Sequence, residues 1–138
     1  MSTFTYRIIV IGLLSVFFSC TKKQTRIPIE GKIGVALHGN GTLIYAQTLD
    51  LYGSTGYQIS SIIRKKNKQL HIQFNHVQAP DAGFTVLAPA DANIALPALP
   101  EGTHRIVFIV NNQRINATLF LGATDSLHLE PEGEVINL

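Results

Sequence analysis

Apolar and polar residues alternate over "QLHIQFN", residues 69–75, and again over "RINATLFL", residues 114–121. A period of two fits a β-strand with one face buried and excludes a helix, whose apolar positions recur every three or four residues. Leu70, Ile72 and Phe74 share one face of the first run, with His71, Gln73 and Asn75 on the other. Ile115, Ala117, Leu119 and Leu121 share a face of the second. Turn chemistry joins neighbouring runs. "YQISSIIR" and "QLHIQFN" flank "KKNK", a hairpin with a charged tip, and "HRIVFIV" and "RINATLFL" flank "NNQ", whose asparagines tolerate positive φ.

Further strands are expected around Gly34 to Leu37, Thr42 to Tyr52, Phe84 to Leu87, Asn93 to Leu96 and Ser126 to Leu129. In "LIYAQTLDLY" leucines 43, 49 and 51 fit a strand, while Leu43, Ala46 and Leu49 fit a helical face; the surrounding strands decide for a strand. The expected fold is all-β. With 138 residues, 46% of them hydrophobic, the chain can build one core but not two. A single cysteine permits no intrachain disulfide, so packing must supply the stability.

That cysteine lies in "GLLSVFFSCTKK", residues 12–23. Arg7 precedes an apolar run from Ile8 to Phe18, and the small Ser19 precedes Cys20, the layout of a secretory signal. The run is about half of the roughly 20 apolar residues a membrane-spanning helix needs. At "VFFSC" the segment resembles the signal peptides of bacterial lipoproteins, which are cut before a diacylated cysteine. Ser19 and Cys20 match that motif, whereas Phe17 and Phe18 stand where an aliphatic and a small residue are usual. The resemblance implies a signal peptide over 1–19, a lipidated Cys20 with a polar tether through 26, and an exported domain over 27–138. One acyl chain binds a membrane marginally, and two or more hold stably. Thr21 stands where an aspartate would signal inner-membrane retention, so the expected address is the outer membrane of the cell envelope.

Within "IALPALPEGTHRIVFIV", residues 94–110, Leu99, Pro100, Gly102 and Thr103 resemble the turn that leads into an inward-facing tyrosine in immunoglobulin-like sandwiches. His104 stands in the tyrosine's place. There the tyrosine hydroxyl bonds back to the backbone a few residues upstream. The resemblance implies a single immunoglobulin-like antiparallel β-sandwich. Small copper-binding sandwiches share the turn, but their ligands include an N-terminal histidine that a lipidated Cys20 would preclude.

Catalytic chemistry is thinly represented. His38, His71, His76, His104 and His128 form no HxH or HxxxH pair. His71 and His76 fall on opposite faces of an unbroken strand, and only a bulge near Asn75 would bring them together. Ser60, Ser61, Ser126, His71 and Asp81 hold the atoms of a triad without a G-x-S-x-G elbow. Glu130, Glu132 and Glu134 read as a solvated tail, and "HGNGT" leads into a strand and not into the helix a phosphate cradle requires. No catalytic residue, metal ligand or cofactor is assigned. The net charge of +2, with four cations near the N-terminal apolar segment, leaves no basic face for nucleic acid.

Asn40 and Asn116 head N-glycosylation sequons, which carry little weight behind a bacterial signal. "TDSL" resembles an O-glycosylation acceptor of exported proteins in one group of Gram-negative bacteria and marks Ser126 as a candidate sugar site. Arg64, Lys65, Lys66 and Lys68 crowd the first hairpin's tip, either as a solubilising turn or as the contact for an acidic partner or anionic envelope polymer. The expected function is a non-enzymatic, envelope-anchored binding or accessory module for a protein partner. The alternative is a small-ligand module for a glycan or a metal. Absence of tryptophan disfavours sugar stacking, although Tyr45, Tyr52 and Tyr57 could substitute in part.

Overall fold

The computed structural model describes residues 24–130 and 133–138. Its strands are β1 (Arg26–Ile27), β2 (Ile33–His38), β3 (Leu43–Tyr52), β4 (Gln58–Lys66), β5 (Gln69–Gln78), β6 (Ala88–Ala95), β7 (Gly102–Val110), β8 (Gln113–Leu121), β9 (Ser126–Glu130) and β10 (Val135–Asn137). There is no helix among the described residues. All ten strands belong to one sheet, in the order β10-β2-β3-β6-β4-β5-β7-β8-β9, with β1 also on β5. The two ends of that order, β9 and β10, lie against each other, so the sheet nearly closes into a barrel.

The two alternating runs are β5 and β8, and their apolar faces point inward. Leu70, Ile72, Phe74, Ile115, Ala117 and Leu119 are buried, and Phe108 of β7 stacks on Phe74 with ring centroids 6.0 Å apart. Both expected hairpins form. Each turns in two residues of positive φ, Asn67 and Lys68 in one and Asn111 and Asn112 in the other. Such turns match the right-handed twist of the strands they join. The segment 43–52 is a strand throughout.

Four expectations are corrected. Residues 84–87 form a loop, and the strand there is β6, which runs through Pro89. Proline is tolerated because β4, on β6's second edge, meets it only at Asp91. The glutamate-rich tail is not merely solvated: Val135 is fully buried and β10 adds to β2. At the other end, Arg26 of the expected tether already pairs with Gln78 as part of β1. An antiparallel fold was also expected, but the β2–β10, β4–β6 and β5–β7 pairings are parallel. The reason lies in chain order: β6 departs to pair with β3 before the chain returns along β5 as β7, so β5 and β7 run the same way.

Candidate functional site

Strand register builds the site. Across the outward face of the sheet one row reads Arg64, His71, Val107 and Asn116, and the next reads Ile62, Gln73, Ile109 and Arg114. A groove of about 460 Å³ is lined by Arg64 and His71 of the first row and by all four residues of the second. Ile62 and Ile109 give it an apolar floor, and the cations Arg64, Lys65, Lys66 and Arg114 rim it. Val107 belongs to this outward face, outside the main core cluster, yet is only 3% exposed.

The groove is electrostatically one-sided. Its lining holds no carboxylate; the nearest on that face by register is Glu130 of β9, which opposes Asn116 outside the groove and pairs with His128. The Arg114 guanidinium lies 3.5 Å from Nδ1 of His71, a long contact in which the arginine donates and the ring accepts. Desolvation, then the charges of Arg114 and Lys66, hold the His71 pKa below its ordinary value. The ring is therefore neutral near pH 7, with Nδ1 as acceptor. Cations held together without counterions on a partly apolar floor form a site for an anion with some hydrophobic body.

Of the charged hairpin residues singled out in the sequence, Arg64, Lys65 and Lys66 line this groove, and Lys68 occupies the turn itself. Sequence reasoning missed Arg114, which comes from the second hairpin and meets the first only through the β5–β7 pairing. The period-two pattern of β8 placed it outward, but nothing local named its neighbours.

The histidines are dispersed. The conditional bulge is present: Ser61 opposes Phe74 and Ser60 opposes His76, leaving Asn75 as the extra residue. Since Phe74 and Val77 both point inward, the bulge puts His71 and His76 on the same outward face. No group of three metal-ligating side chains occurs among the described residues. His38 packs against Tyr45, and Tyr52 stacks on Tyr57 at 4.8 Å, so the tyrosines do not gather around His71.

His104 Nε2 donates to the Pro100 carbonyl at 2.7 Å, a backbone bond reaching four residues upstream. Ser126 is exposed at the first position of β9, after a turn in which Asp125 accepts from the Gly122 amide at 2.9 Å. Cys20 lies outside the described residues. No protein-family profile, curated protein or solved structure matches the chain.

Proposed function

We propose that this protein is an envelope-anchored lipoprotein, held by acyl chains on Cys20, whose domain is a non-enzymatic binding module for an acidic partner protein. The observation that carries the binding reading is the groove on the β4–β5–β7–β8 face, rimmed by four cations and lacking a carboxylate. The anchor rests on Arg7, the short apolar run and the Ser19–Cys20 boundary. A small anionic ligand is the second reading, because a groove of about 460 Å³ falls within the size of small-molecule sites. The bond from His104 to Pro100 is the one the tyrosine makes in immunoglobulin-like corners, and supports reading this part of the barrel-like sheet as a member of that group. Ser126 is the place where O-linked sugar would be carried, since its strand-end position leaves it accessible.

Binding is tested with the purified full chain on immobilised polyglutamate and on envelope proteins, at low and high salt. Arg64→Glu with Arg114→Glu is expected to abolish salt-sensitive capture while leaving the melting curve in place, because both side chains project from the outward face. Undiminished capture by the double variant would remove the groove from the function. Retention on free glutamate or phosphate, with no envelope protein captured, would select the small ligand. Independently, Cys20→Ala should release the protein from the membrane fraction.

A further inference from the structure

The loop 79–87 between β5 and β6 is apolar, exposed and fastened. Phe84 is 83% exposed, Val86 51% and Leu87 69%, and Leu51, which opposes Pro89 just beyond the loop, is 56% exposed. Isolated apolar residues on a surface are ordinary, but a contiguous group calls for an occupant. The loop is not loosely hung. Thr55 donates its amide to the Phe84 carbonyl at 3.0 Å and accepts the Phe84 amide on its hydroxyl at 3.1 Å, so the segment is bound at both polar groups of the residue it presents.

The occupant is indicated by where the chain enters. β1 lies along the last two residues of β5, and the Thr25 carbonyl accepts the Ala79 amide at 3.1 Å. The tether thus docks at the first residue of the apolar loop. From Gln24 back to Cys20 is four residues, a reach of at most about 14 Å at ~3.3–3.6 Å each. Asp81 is the loop's single charge. The hairpin tip carrying Lys65, Lys66 and Lys68 stands at the opposite end of β5, ten residues or roughly 30 Å away.

Resting on the lipoprotein reading of Cys20, we infer that the 79–87 loop is a second membrane contact: Phe84, Val86 and Leu87 seat in the interface of the lipid surface that holds the anchor. The two contacts fix the domain's orientation, with the cationic hairpin tip pointing away from the membrane. A lipid anchor alone leaves a domain free to tumble; an apolar loop beside it does not.

The chain lacks tryptophan, so Phe84→Trp installs its only tryptophan, excited selectively over the four tyrosines, at a site where the ring is already exposed. The full-length variant is placed in phosphatidylcholine vesicles whose acyl chains carry bromine, with Phe120→Trp as the comparison. Phe120 is also exposed, near the far end of β8. The expected result is a blue-shifted emission from the Phe84→Trp variant, quenched severalfold more than that of the Phe120→Trp variant. The mass of the N-terminal peptide from the same preparation reports acylation of Cys20 separately. An unmodified Cys20 together with quenching in the Phe84→Trp variant retires the anchor and keeps the loop contact. Equal quenching in the two variants overturns the inference whatever the state of Cys20. A blue shift that follows protein concentration and ignores lipid assigns the loop to a second copy of the chain and overturns it as well.

Discussion

Replacing Phe108 by alanine removes the largest fully buried side chain among the described residues. Phe108 opposes Ile72 on β5 and Ile115 on β8, and stacks on Phe74 at 6.0 Å with planes 9° apart. Truncating a buried phenylalanine costs about 3–5 kcal/mol, as lost transfer energy plus the cavity left behind. Against a margin of ~5–15 kcal/mol for a small domain, that is roughly a fifth of the stability or more. The ring pair adds a coupling: because Phe74 and Phe108 share one contact, the double alanine variant should cost less than the two single variants summed. Phe120, on the outward face of β8 and 44% exposed, supplies the contrast, since Phe120→Ala should stay within ~0.5 kcal/mol. Urea unfolding followed by circular dichroism measures each of these chains. A Phe108→Ala midpoint no lower than that of Phe120→Ala would show that the inward register of β7 is wrong.

Thr48 is the buried polar residue at the register irregularity between β3 and β6; its hydroxyl accepts the Ala90 amide at 2.9 Å and donates to the Asp50 carbonyl at 2.9 Å. Thr48→Val strands the Ala90 amide and should lower stability by about 1–3 kcal/mol in the same urea assay, whereas Thr48→Ser should restore most of it. His71 provides a pH signature: its folded pKa lies below the ordinary value of 6.5, so the unfolded chain takes the proton first, and stability present above pH 6.5 declines as pH falls below it. His71→Asn should flatten that slope in unfolding midpoints measured from about pH 7 to about pH 5.

Much of the outward arrangement of β5 and β8 was legible because period two is a local property: once Leu70, Ile72 and Phe74 go in, His71 and Gln73 must come out. The two-residue turns were legible for the same reason, as Asn67, Asn111 and Asn112 carry their left-handed tolerance with them. Misreadings fell where tertiary pairing overrides composition. The β-prone Phe84–Leu87 stretch finds no strand to pair with, while Pro89, a poor strand residue, is accepted because the proline lies beside a sparsely paired edge.

Alternation and turn propensity act between residues close in the chain, and they were enough for the all-β class, the two hairpins and the identity of the inward residues. Closure of the sheet, the parallel return of β7 along β5 and the insertion of Val135 beside β2 arise only in three dimensions. So does the groove. Arg114 and Arg64 are fifty positions apart, and only the run of register through His71, Gln73 and Ile109 lays their charges on one surface, along a groove that no carboxylate lines.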